Sequence, residues 1–176
     1  MNNELIVFLH NDLDAAFCQL NFEFVAPTVR KKYFYTNYGN MKEKVSEIEN
    51  YIAVHRNDKI LIMDVSFSNN KDQLDKLYNM FNTITLIDHH LYPEEFFNSY
   101  SDKMKVHYDK SKCAALLTNE YFKNTGKNKD LDTLTKITDV YDLWQVENPL
   151  FDVSQNLNNF FWELGMDKFC SEIIRF

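Results

Sequence analysis

At 176 residues, with 45% apolar and 15% aromatic side chains, the chain is long enough to bury a core without disulfides and too apolar to stay disordered. A formal charge of −7 excludes a protein that holds nucleic acid by bulk positive charge alone. Three glycines and three prolines exclude long flexible linkers, and the scattered Cys18, Cys113 and Cys170, with no CxxC pair, exclude a thiolate zinc site.

Strands and helices alternate along the chain. Glu4 to Leu9 is a short, continuous apolar run and reads as a buried strand. Residues 12–24 read as a helix, Lys32 to Thr36 as a second strand, and Met41 to Arg56 as a helix with Val45, Ile48 and Ile52 on one face. Lys59 to Asp64 is a third strand, Lys71 to Phe81 a helix with Leu74, Leu77, Tyr78 and Phe81 on one side, and Ile84 to Asp88 a fourth strand. Met104 to Tyr108 is a fifth, more polar strand suited to a sheet edge, and helices follow at 113–123 and 131–143. Strands apolar on both faces, alternating with helices, imply an α/β fold: a parallel five-stranded Rossmann-like sheet with helices on both faces. A boundary falls near Asn148-Pro149, giving one domain over 1–148 and, over 149–176, a C-terminal tail or the start of a further substrate domain.

Three dispersed cysteines suit a reducing cytoplasm. No apolar run approaches a membrane span and no N-terminal stretch has the pattern of a signal peptide. The expectation is a cytoplasmic protein that does not engage a membrane.

Ligands of an open parallel sheet bind beyond the carboxyl ends of its strands. Strand one ends in His10-Asn11-Asp12-Leu13-Asp14, strand three in Asp64, and strand four in Asp88-His89-His90. A strand-end aspartate by itself is most often a helix cap, and a single histidine most often structural. Three such clusters on one rim point instead to convergent carboxylates, whose mutual repulsion a bound divalent cation relieves. Aspartate and histidine without cysteine suit Mn²⁺ or a similar first-row ion. A fourth acid comes from the helix ending Thr138-Asp139-Val140-Tyr141-Asp142, where two aspartates stand close together and Asp139, after apolar Ile137, can reach inward.

These residues resemble the DHH phosphoesterase superfamily, and Tyr141 to Trp144 resembles its oligoribonuclease-like branch. The family's Asp-His-His triplet is matched by residues 88–90. Its His-x-Asp-x-Asp-Gly motif is matched by His10 to Asp14, with Ala15 in place of glycine. Its single strand-end aspartate is matched by Asp64, and its helix aspartate by Asp139 or Asp142. The resemblance implies a hydrolase with two Mn²⁺ ions, for which Mg²⁺ or Co²⁺ can substitute. His10 and Asp12 would bind the first ion, Asp14, His89 and Asp139 the second, and Asp64 both. His90 would touch the phosphate, and Asp88 would orient a histidine from behind. His90, Asp88 and Asp64 are thus the catalytic set. Two ions make a nucleophile of water and stabilise charge on the phosphate.

The family's Gly-rich substrate motif has no counterpart in a chain with only Gly39, Gly126 and Gly165. A separate substrate-binding domain or a homo-oligomer is therefore the expected partner. Ser111, Lys110 and Lys112, ahead of a helix, are candidates to hold a substrate phosphate with His90. The same residues read more simply as a cap and solvated charges. Tyr92, Phe96 and Phe97 could stack on bases, although aromatics at this spacing more often pack. The expected substrate is a short single-stranded oligonucleotide or a small nucleotide. A small-phosphate phosphatase or pyrophosphatase, or a nucleotide-binding domain without turnover, are the alternatives.

Overall fold

In a computed structural model the protein is described over residues 4–55 and 57–174. The predicted helix end at Arg56 and the terminal Arg175-Phe176 lie outside the described residues. Five strands, β1 (Leu5–His10), β2 (Lys31–Thr36), β3 (Lys59–Met63), β4 (Thr83–Asp88) and β5 (Met104–Tyr108), form one sheet. Among the described residues seven α-helices accompany them: α1 (Leu13–Val25), α2 (Met41–His55), α3 (Lys71–Met80), α4 (Ala114–Tyr121), α5 (Lys129–Asp142), α6 (Phe151–Leu164) and α7 (Met166–Ile174). The fold is α/β with an all-parallel, Rossmann-like sheet in the order β2-β1-β3-β4-β5. Among the described residues, no helix is long and apolar enough to cross a membrane.

The chain divides into two compact units. The first comprises the residues up to His10 together with Thr28–Tyr108, and so holds the whole sheet with α2 and α3. Ile6, Phe8, Ile60, Ile62, Ile84 and Leu86 alternate along β1, β3 and β4 and share one core with Met41, Val45 and Ile48 of α2 and Leu74 and Leu77 of α3. The intervening Val7, Leu9, Leu61, Met63 and Ile87 are buried as well, which is why these strands read as apolar on both faces. The outer strands differ: β2 alternates buried and accessible positions toward its end, and β5 buries only Met104, as suits an edge. Chain order reverses between β1, which leads outward to β2, and β3, which starts the other half of the sheet. Such a switch leaves a crevice at the carboxyl ends of its two strands.

The second unit comprises Asn11–Pro27 and Asp109–Phe176, and it gathers α1 with α4 to α7. Asp12 caps α1, accepting the Ala15 N–H at 3.0 Å. Leu13 through Phe22 of this helix are all buried, so it is covered all round rather than amphipathic. Among its buried polar side chains, Asn21 is fully enclosed. The Asn21 amide donates to Thr135 at 3.0 Å and its oxygen accepts from Asn119 at 3.1 Å, while the Asn124 amide donates to the Asn21 carbonyl at 2.9 Å. Satisfied in this way, a buried amide costs little; left unpaired it would cost about 1–3 kcal/mol.

The stretch beyond Asn148 forms two helices inside this unit. Gly165 separates them at φ 74°, a left-handed position that glycine occupies without a Cβ clash, and its N–H donates to Phe161 O at 2.8 Å. Phe161, buried, packs edge-on to Phe169 at 5.4 Å, and Phe169 meets Phe17 of α1 at 5.8 Å. Cys170 lies beside them, where burial first and the Asp167 and Glu23 charges second push its thiol from 9.0 up to about 12. Unfolding restores the ordinary value. The unfolded thiol then ionises from about pH 9, whereas the folded thiol keeps its proton until about pH 12. Stability should therefore decline between those limits. Urea denaturation across this range should show a shallower decline in Cys170→Ala than in the native chain.

Candidate metal centre

The predicted strand-end residues of the first unit come together. Asp64 follows directly on β3, with φ 57°, and this left-handed step ends the strand one residue earlier than its apolar run suggests. Its N–H still reaches Ile87 O at 3.0 Å, so the β3–β4 ladder carries the residue onto the rim. The carboxylate is 2% exposed, with Oδ1 3.4 Å from His89 Nε2 and 3.9 Å from His90 Nδ1. His10 closes β1, in register with Thr36 of β2.

Asp88 is fully buried, and donors surround it. Its Oδ1 accepts the His89 N–H at 2.8 Å, the His90 N–H at 3.4 Å and His90 Nδ1–H at 2.7 Å. Its Oδ2 accepts a short hydrogen bond from the Tyr92 hydroxyl. Since Nδ1 faces a carboxylate, it carries the proton, and the Nε2 of His90 is directed away from Asp88. Tyr92 also accepts the Phe67 N–H at 3.2 Å and lies 3.2 Å from the Val65 carbonyl, so one phenol ties the segment after Asp64 to the Asp-His-His turn. Burial, then the Asp88 charge, drives the Tyr92 pKa far upward, so the phenol remains a donor.

Tyr92 packs at 4.7 Å from both Phe96 and Phe97, and all three rest against the core of the first unit. They form a half-buried wall on that core. An exposed aromatic at this rim is Tyr38, just beyond β2, whose hydroxyl lies 3.1 Å from His90 Nε2. Sequence reading passed over it because β2 ends in no acid or imidazole. The strand-end rule applied to β2 as to the others would have drawn attention to Asn37-Tyr38-Gly39-Asn40.

The second unit holds the remaining acids. Asp14 is 2% exposed and accepts the Ala114 and Ala115 N–H groups, each at 2.8 Å. Asp139 accepts the Cys113 N–H at 2.7 Å and the Gln145 amide at 3.1 Å. The start of α4 is thus neutralised by the chain's own carboxylates. Ser111 is not the cap of this helix, a position taken by Cys113; its hydroxyl donates to Asp109 at 2.7 Å. Lys112 pairs with Glu120 at 2.8 Å, and Lys110 is exposed. Asp142, one turn beyond Asp139, brings a carboxylate oxygen within 4.8 Å of one from Asp14.

The donor set fits a first-row divalent ion. In the first unit Asp64, Asp88, His89 and His90 offer oxygens and imidazole nitrogens within 4.8 Å of one another. Of these, Asp64 and His89 are the better ligands, because the donors around Asp88 already occupy both of its oxygens.

The all-parallel sheet with acids and imidazoles at its strand ends resembles a DHH-type domain, and the chain is similar to several known proteins. Among curated proteins it is 23% identical over 182 residues to the oligoribonuclease NrnB of Bacillus subtilis strain 168, covering 96% of this chain and 44% of that protein. Among solved structures it is similar to an uncharacterized protein from Helicobacter pylori G27, with 25% identity and a TM-score of 0.63 over 86% of this chain and 46% of that one. It shares its fold with CDC45 from Entamoeba histolytica (13% identity, TM-score 0.58, 79% of this chain and 30% of that one). The exonuclease RecJ bound to manganese shares it too (13% identity, TM-score 0.50, 80% of this chain and 39% of that one). The chain spans less than half the length of each of these proteins. No family model matches it.

Removing the Tyr92 hydroxyl leaves a buried carboxylate oxygen short of its donor. Tyr92→Phe should lower the unfolding free energy by about 1–3 kcal/mol in urea titration of the metal-free protein.

Proposed function

We propose that the chain is the catalytic domain of a metal-dependent phosphoesterase that hydrolyses short oligonucleotides or small nucleotides in the cytoplasm. The observation that carries this reading is the buried Asp64 carboxylate set 3.4 Å from His89, beside a His90 ring oriented by Asp88. The likeness to an oligoribonuclease supports the substrate class, and three buried thiols suit the compartment.

Two Mn²⁺ ions are the cofactors we assign. By the family resemblance, His10 and Asp12 would hold one, Asp14 and His89 the other, and Asp64 would serve both. When bound, such ions generate a nucleophile from water at neutral pH and offset charge on the attacked phosphate. The protein's own part is orientation. Asp88 fixes the His90 ring through Nδ1, so that Nε2 meets a phosphate oxygen as a donor when the ring is protonated. Exposed Lys110 is the member of the Lys110-Ser111-Lys112 run that we assign to the substrate, since Ser111 and Lys112 are engaged with Asp109 and Glu120.

The reading is tested by mononucleotide release from a short end-labelled RNA, with Mn²⁺ and with chelator. Release should require the ion and fall by about 100-fold or more in Asp64→Asn. Phosphate release from a nucleoside monophosphate or pyrophosphate, with the RNA left intact, would move the substrate to the small-phosphate class.

The helix ligand is either Asp139, which the resemblance favours, or Asp142, which its nearness to Asp14 favours. Calorimetric Mn²⁺ titration decides between them. Loss of the ligand should weaken binding by about 10- to 100-fold. We expect this for Asp142→Asn, whereas Asp139→Ala should lower the melting temperature of the metal-free protein, because the Cys113 N–H loses its acceptor.

A further inference from the structure

Beyond β2 the chain makes a turn that is more firmly built than a surface loop needs. Asn37 Oδ1 accepts the Gly39 N–H at 2.9 Å and the Asn40 N–H at 3.1 Å. Asn40 Oδ1 in return accepts the Asn37 N–H at 2.8 Å and the Thr36 hydroxyl at 3.1 Å. Gly39 leaves room for this lock, since a Cβ there would stand 3.3 Å from Asn37 Oδ1. Four side-chain hydrogen bonds therefore fix four residues. What they present is Tyr38, 64% exposed, so the turn does not serve the hydrophobic core.

Tyr38 lies over the strand-end histidines. Its ring is 5.1 Å from that of His10, at 50°, and its hydroxyl is 3.1 Å from His90 Nε2. With His90 Nδ1–H given to Asp88, a neutral ring accepts the Tyr38 proton at Nε2. A phosphate held beside the His90 ring would lie within reach of this hydroxyl, which can donate to it instead of to Nε2. The exposed part of the ring offers an aromatic surface of the kind on which bases stack without regard to sequence.

We propose that Tyr38 is a substrate-contacting residue: its hydroxyl shares the phosphate with His90, and its ring stacks on the neighbouring nucleobase. The inference rests on the phosphoesterase reading for its substrate class, but its test is independent of turnover. The probe is a dinucleotide carrying 2-aminopurine, whose fluorescence is quenched on stacking, titrated with the full chain in chelator so that no hydrolysis occurs. The native chain should quench it. Tyr38→Phe should keep the quench, and Tyr38→Leu should lose it and bind about tenfold more weakly. Equal quench and affinity in the native chain and Tyr38→Leu, or no binding by either, overturns the proposal. If RNA is hydrolysed with Mn²⁺ while the quench ignores Tyr38, the hydrolytic reading stands and this one falls. If the quench depends on Tyr38 while no RNA or phosphate substrate is cleaved, the contact stands and the hydrolytic reading falls.

Discussion

The arrangement at the rim of the sheet depends on one buried carboxylate. A charge as deeply placed as that of Asp88 costs several kcal/mol unless hydrogen-bond donors compensate it. It is compensated from three directions: backbone N–H groups of the turn after it, the His90 ring, and the Tyr92 phenol. Those contacts set the path of the chain after β4, fix the tautomer of one imidazole, and tie in the segment after β3. The three letters of the motif thus name three different tasks. The aspartate anchors, the first histidine stands beside Asp64, and the second is aimed.

Much of this was legible because buried parallel strands write their nature plainly. β1, β3 and β4 are uninterrupted apolar runs, and the residues just past each run are those the sheet exposes at its carboxyl end. Both sheet edges were less clear in pattern, yet the polar character of β5 gave its position away. Other features were not legible for specific reasons. The departure of Asp64 from β3 is a single backbone dihedral, invisible to periodicity. Asp139 and Asp142 stand three residues apart on one helix face, so spacing cannot choose between them. Tyr38 was missed because the stretch after β2 holds no acid or imidazole; the neighbouring asparagines and the distance to His90 are what draw attention to it. The helices after Asn148 were obscured by an Asn- and Phe-rich composition that suggested an appendage.

The second unit shows how an acid can be engaged by structure before any ion arrives. Asp14 and Asp139 both accept N–H groups at the start of α4, where the helix dipole favours negative charge. Such bonds hold a carboxylate at a fixed angle and leave other lone pairs in other directions. Preorganisation of this kind is the protein's usual contribution to a metal site.

The two outer strands carry a different consequence. A parallel sheet that ends in open edges is a template for further strands, from another molecule as readily as from its own. β2 begins with Lys31 and Lys32, and β5 carries Lys105. A second strand docking on either edge would have to bring its backbone alongside these ammonium groups, and an identical strand would add charges of the same sign. Lysines on both outer strands are a feature of the kind that discourages edge-to-edge pairing. Replacing them with apolar residues would leave the core intact while inviting the molecules to pair edge to edge and aggregate.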